Sequence, residues 1–320
     1  MPRSRRGRDV SGILLLDKPA GISSNQALQR ARRLLDARKA GHTGSLDPLA
    51  TGMLPLCFGE ATKVSTFLLD AHKRYRTTAA LGAATDTGDL DGAVIERASV
   101  PPRSADDVAT VLARFTGEIE QVPPMYSALK HDGERLYRLA RAGQVVERPP
   151  RRVTIHALHR LDAGGAIGPD AASLVLEVDC SKGTYIRTLV EDLAVALGTL
   201  GHVTSLRRVL VTPFDGTAMH RLPTLEALDA CARDGLLLPV DRALVATPEL
   251  LLAPGQAERL LQGVAVAVDQ AESTGEVRLY SSEGEFVGLG HRDLTGLVVP
   301  RRMFPGLTPI ATAGRDTQCP

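Results

Sequence analysis

The chain has 320 residues, 43% hydrophobic and 23% charged, the make-up of a globular protein of roughly two domains. Aromatics are only 3% with no Trp, so Leu, Val and Ala must build the core, and a net charge of +1 excludes a uniformly basic coat. Charge is unevenly spread, however: residues 246–320 hold six basic and nine acidic side chains, whereas residues 130–160 hold eight basic and three acidic ones, a local basic patch.

In chain order, "MPRSRRGRDV" carries four arginines but no apolar run long enough for a signal peptide, and residues 1–10 read as a basic, disordered tail. No stretch approaches the roughly 20 apolar residues that span a bilayer, so a cytoplasmic protein without a membrane partner is expected. "GILLLDKPAGISSNQALQRARRLLDARKAG" opens with a strand over Ile13 to Leu16 and a Pro/Gly turn. Ser23 and Gln26 then form a capping box, with Ala27, Ala31, Leu34 and Leu35 at helical spacing. Arg30, Arg33 and Arg38 fall off that stripe, either as a solvated face or as a surface for phosphates.

Residues 40–56, "AGHTGSLDPLATGMLPL", come next. Gly41, Gly44 and Gly52 with Pro48 and Pro55 rule out a long helix and describe a chain that bends closely. Asp47-Pro48 alone would be an ordinary turn, since Asp bonds nearby amides and Pro fixes φ. His42, Thr43 and Ser45 nevertheless crowd more polar groups around this acid than a surface turn requires. The segment lacks the spacing of a P-loop.

"YRTTAALGAATDTGDLDG" reads as a strand running into an acidic loop, and "SADDVATVLARFTG" as a capped helix ending at Gly117. Residues 121–152 are Pro-bounded, basic and dotted with Tyr126 and Tyr137. "HALH", with His156 and His159, has the spacing of a metal pair but no carboxylate or cysteine cluster beside it. "SLVLEVDCSKGTYIRTLVEDLAVALG" alternates as a strand through Leu174, Leu176 and Val178, then takes helical spacing as far as Gly198. Irregularly mixed strands and helices favour an α+β fold over a doubly wound sheet. The boundaries implied are a main domain at 11–245 and, after "VATPELLLAPG", a small β module at 246–310 whose short alternating runs are separated by Gly and Ser. A tail follows at 311–320. Cys57, Cys180, Cys231 and Cys319 form no C-x-x-C pair, which suits a reducing compartment and argues against a zinc ribbon.

"KAGHTGSLDPLATGMLPL" resembles the signature around the catalytic aspartate of the TruB family of tRNA pseudouridine synthases. "LLLDKPAGISS" is similar to that family's N-terminal motif, with Lys18 and Pro19. "KRYRTTAALGAATDTGDLDG" resembles its second block, carrying Tyr75. "CSKGTYIRTLVEDL" resembles its third, with Tyr185 and Arg187, and "GHVTSLRRV" its fourth, with Leu206. Order and spacing agree across residues 12–210, and the C-terminal module looks like the family's PUA-like RNA-binding domain.

The resemblance implies a pseudouridine synthase fold, with a mixed or antiparallel central sheet and flanking helices. It also implies isomerisation of uridine to pseudouridine at position 55, in the T-loop of tRNA. That reaction breaks the N1–C1′ bond, turns the uracil and joins C5 to C1′. It consumes nothing, so neither cofactor nor metal is expected. It needs an ionised carboxylate, as nucleophile or to promote departure of the base. A free Asp has a pKa of about 3.9, and a neighbouring cation would hold it ionised even when buried. By resemblance the carboxylate is Asp47 and the cation Arg187. Tyr185 and Arg187, two apart in an extended segment, would point to one side. The target base must leave the stack. The resemblance makes Tyr75 the aromatic exposed to stack on it and Tyr185 a candidate for proton transfer, with the proton unassigned. His42 is implied as filler of the vacated space, with core packing its alternative, and Leu206 as a pocket wall. Lys18 and Pro19 would buttress the loop carrying Asp47, a structural role. Residues 121–152 correspond to the RNA-gripping thumb, and Lys130, Arg141, Arg148, Arg151 and Arg152 are its candidate RNA contacts.

The nearest rival is the guide-RNA-dependent relative acting on ribosomal RNA, which lacks a comparable thumb. A non-catalytic RNA-binding or tRNA-folding protein on the same fold is a second. A phosphate-binding hydrolase fails for want of a base, metal or P-loop. Nothing in the sequence calls for more than a monomer.

Overall fold

The computed structural model describes residues 7–162, 164–268 and 274–307. Strand β1 (Gly12–Lys18) is buried along almost its whole length, as its run of four large aliphatics requires. Helix α1 (Ser24–Leu34) starts on the expected capping box: the Gln26 N–H donates to Ser23 Oγ at 3.2 Å and the Ser23 N–H to Gln26 Oε1 at 2.8 Å. Of the arginines off its apolar stripe, Arg30 pairs with Glu226 and Arg38 with Asp9. Strands β2 (Ala40–His42) and β3 (Thr51–Phe58) flank the Asp47 loop.

A 3₁₀ turn and α2 (Ser65–Asp70) lead to β4 (Lys73–Leu81), then to the ribbon β5 (Ala83–Thr85) and β6 (Val94–Arg97). Helix α3 (Ala105–Arg114) is boxed by Ser104 and Asp107 and ends three residues before the expected Gly117, because that glycine, at φ 103°, opens β7 (Gly117–Gln121). The hairpin β8 (Lys130–His131) and β9 (Glu134–Arg135) and the short α4 (Leu136–Arg141) follow. Next come β10 (Arg151–Arg160), β11 (Ser173–Cys180), α5 (Ile186–Ala196), β12 (Gly201–Val211), β13 (His220–Arg221), α6 (Leu222–Ala227) and α7 (Ala230–Asp234).

The main sheet runs β13-β1-β3-β12-β4-β11-β10-β7, with β2 alongside β3. The β12–β3 and β1–β13 pairings are parallel and the others antiparallel, so the fold is α+β with a mixed central sheet, as expected. Central β4 alternates: Tyr75, Thr77, Ala79 and Leu81 are buried on one face, while Arg74 and Arg76 on the other pair with Asp179 and Glu177 of β11. The first face carries the larger core, with Ala27, Ala31, Val108 and Leu189 of α1, α3 and α5 packed over Tyr75, Val178 and Leu206.

The C-terminal residues form a second sheet in the order β14-β16-β17-β18-β15 (Glu249–Leu251, Gly275–Tyr280, Phe286–Arg292, Leu297–Met303, Val266–Ala267) with α8 (Gln256–Leu261) against it. This module has its own small core around Leu252, Leu260 and Leu279. Its Leu289 and Phe304 also enter a cluster with Ile13, Met53, Val64 and Phe214 on the reverse face of the main sheet. Of the expected N-terminal tail, Arg8 lies against the body, pairing with Asp234 at 2.8 Å and bridging to Ala37. Residues 1–6 and the expected tail at 311–320 lie outside the described residues.

Candidate active site

Asp47 sits in the loop between β2 and β3, and the loop is pinned from four directions. Gly44 at φ 88° and Gly52 at φ 97° occupy backbone conformations that L side chains avoid, which explains the glycines flanking the acid. The Ser24 hydroxyl accepts from the Leu46 N–H at 2.7 Å and donates to the Leu46 carbonyl at 3.0 Å. Lys18 Nζ donates to the carbonyls of Pro19 (2.8 Å), Pro48 (3.2 Å) and Ala50 (2.7 Å). The Asp47 carbonyl accepts the Ala50 N–H at 3.1 Å, closing the turn without using the carboxylate. The turn therefore presents Asp47 rather than the reverse.

Lys18 is wholly buried with all three donors taken up by carbonyls, so it buttresses the loop and does not reach a substrate. Burial pushes its ammonium down to about 8, with Asp47 pulling it back up. Pro19 is exposed and contributes its carbonyl.

The Asp47 carboxylate faces Arg187, with Oδ2 3.0 Å from Nε and Oδ1 accepting from Nη2 at 3.2 Å. Arg187 also donates to the Thr87 carbonyl through Nη1 at 2.6 Å and to the Tyr126 carbonyl through Nη2 at 2.8 Å. Asp89, itself buried, stands 3.8 Å from its Nε. One buried guanidinium thus ties together the Asp47 loop, the loop after β5 and the base of the segment after β7. The expectation that Tyr185 and Arg187 lie on an extended segment is corrected here. Gly183, at φ 80°, turns the chain, Tyr185 is the residue before α5, and Arg187 lies in that helix's first turn.

Electrostatics also refine the expectation for Asp47. Burial pushes its carboxyl above the ordinary 3.8, Arg187 pulls it back, and the charge of Asp89 pushes it up again. The net direction is upward, so Arg187 offsets desolvation only in part.

Tyr75 and Leu206 lie on the same face of the sheet, in the core that includes Leu46. Tyr75 is only 9% exposed, which corrects the expectation of an exposed ring: it is part of the core, with burial raising its phenol. Tyr185 is half-buried. Its backbone N–H donates to Gln121 Oε1 at 3.0 Å, its carbonyl accepts from Gln121 Nε2 at 3.2 Å, and burial raises its phenol as well. His42 is half-buried on β2 with a buried Nδ1 that has no hydrogen-bond partner. Burial, followed by the charges of Arg208 and Arg135, pushes its imidazole below the usual 6.5 and keeps it neutral.

Gln121 and Arg151 are register partners on β7 and β10, so the chain between them leaves and re-enters the sheet at one edge. Of its candidate RNA contacts, Lys130, Arg141, Arg151 and Arg152 are exposed. Arg141 lies 5.8 Å over the Tyr137 ring. Arg148 folds back onto the Pro123 carbonyl at 3.1 Å, and Arg152 lies 3.3 Å from Glu118 and 3.7 Å from Glu120, so these two are already engaged within the protein. His156 stacks on His72 with centroids 4.2 Å apart, and among the described residues no cluster of His, Cys, Asp and Glu suited to a metal forms. No helix among those residues is long and apolar enough to cross a membrane.

The sequence does not single out Ser24, Thr87, Asp89, Gln121 or Arg208. Asp89 stands in the acidic run "TDTGDLDG", where nothing marks one carboxylate as buried. Gln121 carries no local signal at all.

Family profiles match the chain in three consecutive pieces. Residues 32–186 match "TruB family pseudouridylate synthase (N terminal domain)", 187–245 "tRNA pseudouridylate synthase B C-terminal domain" and 248–304 "Pseudouridine synthase II TruB, C-terminal". The tRNA pseudouridine synthase B of Chromohalobacter salexigens is 53% identical over 306 residues, 95% of this chain and 97% of that one. That of Aromatoleum aromaticum is 53% identical over 307 residues, 96% of each. Among solved structures, an H/ACA RNP bound to a substrate RNA containing 2′-deoxyuridine superposes with a TM-score of 0.66 at 22% identity. It covers 92% of this chain and 84% of its own. A Cbf5-Nop10-Gar1 complex gives 0.63 at 26% identity, over 89% and 79%. These likenesses agree with the mixed sheet and the attached β module, and the near full-length identity decides the family: the chain belongs to the TruB family of pseudouridine synthases.

Proposed function

We propose that this chain isomerises uridine to pseudouridine at position 55 in the T-loop of tRNA, acting in the cytoplasm as a monomer, with Asp47 as the catalytic carboxylate. The observation that carries this reading is the Asp47–Arg187 contact at 3.0 and 3.2 Å, on a loop whose Leu46 packs in the same core as Tyr75 and Leu206. A carboxylate so held is fixed in direction, with one face left to solvent: its side chain is 37% exposed, whereas that of Arg187 is 4% exposed. It can attack, or draw a proton from, a sugar delivered to that face while the N1–C1′ bond breaks. As the detached uracil turns and its C5 bonds to C1′, the Asp47–sugar bond breaks, or the sugar takes its proton back from Asp47, and the uracil then loses the C5 proton and gains one at N1. Tyr185, half-buried at the rim, is our candidate to carry one of those protons. His42, neutral and with an unpartnered nitrogen, fits a role against unstacked bases. Lys130, Arg141 and Arg151 offer charge to the RNA backbone, and the module at 246–310 a second RNA-binding surface.

Relatives about half identical along nearly their whole length carry the tRNA-enzyme name, which favours tRNA over a guided ribosomal substrate. The test is incubation of purified protein with unmodified tRNA in EDTA, followed by base-resolved mapping of pseudouridine. A single new pseudouridine in the T-loop is expected. Modification elsewhere, or none, overturns the assignment.

A further inference from the structure

Arg208 lies on β12 two residues beyond Leu206 and, at 1% exposed, is the bulkiest fully buried side chain among the described residues. Its Nε donates to the Met53 carbonyl at 2.7 Å and its Nη2 to the Gly44 carbonyl at 3.1 Å. Among the described residues no carboxylate pairs with it. Its register partner across the antiparallel pairing with β4 is Tyr75, which is buried beside it on the same face of the sheet. The surroundings are built closely around it. A Cβ on Gly52 would lie 2.2 Å from the Arg208 carbonyl, and one on Gly44 would lie 3.4 Å from its Nη1.

An enclosed guanidinium without a counter-ion is expensive, and an apolar side chain of similar length would fill the same space at lower cost. Its charge is therefore unlike a packing device and calls for a use. The neighbouring groups register it: after burial itself, Arg208 is the next cause that depresses His42 and Lys73, and it opposes the effect of burial on Tyr75. A guanidinium can only donate. Toward it the Tyr75 oxygen can act only as an acceptor, with the phenolic proton pointing away from Arg208.

Resting on the reading of the site given above, we propose that Arg208 is a positioning residue that acts through Tyr75. It fixes the orientation of the Tyr75 hydroxyl, and of the ring that carries it, relative to the Gly44 end of the Asp47 loop. One side chain thereby couples Tyr75 to the catalytic turn. A lysine in its place would keep the charge but not the fork that reaches a strand carbonyl and a loop carbonyl beside a phenol.

The experiment compares Arg208→Lys and Arg208→Met in the wild-type and Tyr75→Phe backgrounds. Single-turnover rates are measured at saturating protein, together with tRNA dissociation constants. Losing a charged hydrogen bond of this kind should slow Arg208→Lys by about ten- to a hundredfold, with binding changed by less than about threefold. In the Tyr75→Phe background the same substitution should cost less than about threefold, because the group it acts through is gone. Equal losses in both backgrounds would show a general structural role and overturn the proposal. An activity-independent arm uses protein labelled at tyrosine 13Cζ, which shows five tyrosine signals with that of Tyr75 assigned by its disappearance in Tyr75→Phe. Arg208→Lys should shift the Tyr75 signal and leave that of Tyr185 in place, and an unmoved Tyr75 signal overturns the proposal even if Arg208→Met does not fold. A wild-type protein that leaves tRNA unmodified would instead overturn the functional reading, and the spectroscopic arm would still decide on Arg208.

Discussion

Asp47 and Arg187 set opposing demands on one another. The carboxyl is raised by burial, lowered by Arg187 and raised again by Asp89. A raised acid pKa means that the folded chain holds the proton more tightly than the unfolded chain. The ionised form therefore costs stability as pH rises through the folded pKa, and below the unfolded pKa no cost remains. Asp47→Asn should abolish turnover by at least about three orders of magnitude while keeping the fold and tRNA affinity. Its melting temperature should gain on wild type as pH is raised through that carboxyl's titration, a trend read from thermal melts across a pH series. Arg187→Ala removes the influence that pulls the carboxyl down. The acid limb of its single-turnover pH–rate profile should move to higher pH, and raising the pH should restore part of the rate. Arg187→Lys should recover only part of the loss, lacking the fork that meets Asp47, Thr87 and Tyr126 together. The stability cost of Arg187→Ala should fall below the about 3–5 kcal/mol of a fully buried pair, since water screens the 37%-exposed carboxylate. An unmoved acid limb would show that Arg187 acts by placing Asp47 and not by its charge.

At the scale of elements, the excursion between β7 and β10 carries the basic patch, but its cations are not equivalent. Arg148 is engaged by Pro123 and the exposed Arg152 faces Glu118 and Glu120, while for the exposed Lys130, Arg141 and Arg151 no acidic partner is found among the described residues. Neutralising the three exposed cations should flatten the salt dependence of tRNA binding, by about 0.7 to 0.9 in logarithmic slope for each phosphate that is no longer neutralised. Neutralising Arg148 and Arg152 should leave that slope nearly unchanged. Binding isotherms over a salt series separate the two outcomes, and a slope left unchanged by the first set would mean that this segment does not grip RNA through its charges. The base of the same excursion is bound to the site through Gln121 with Tyr185 and Tyr126 with Arg187. Whatever docks on the segment therefore pulls on residues that hold Asp47.

For the whole molecule, the C-terminal module is fastened to the reverse face of the main sheet rather than strung from a linker. Phe304 is 2% exposed in a cluster with Val64 and Phe214, Lys63 lies 5.1 Å over its ring, and Lys63 Nζ donates to the Met303 carbonyl at 3.0 Å. Arg302 donates to the Lys63 carbonyl, and the Tyr280 hydroxyl to Asp241 at 2.8 Å. Emptying the Phe304 site leaves a cavity that neither part can fill alone. Phe304→Ala should cost about 3–5 kcal/mol, taken from the module's attachment. Urea unfolding should change from one transition to two, the first reporting the module. A single transition at an unchanged midpoint would show the two parts to be coupled elsewhere.

Whatever is local was legible in the sequence. Ser23 with Gln26 and Ser104 with Asp107 state their helix starts within four residues, and the alternation of Leu174, Leu176 and Val178 states which side of β11 faces the core. Asp47, Tyr75, Tyr185, Arg187 and Leu206 could be picked out because each sits inside a stretch that resembles one of the TruB family's motifs. What depends on distant segments meeting had to wait for the folded chain. Lys18 proved a clamp because three carbonyls converge on it, one of them from its neighbour and two from beyond Asp47. Asp89 and Gln121 became part of the site only when β5 and β7 were placed beside α5. Arg207 and Arg208 read identically in "SLRRV", yet strand alternation sends the first to Asp17 at the surface and seals the second against Tyr75. Burial is a property of the assembled sheet, and it is burial that turns an ordinary charge into one that reaches its neighbours.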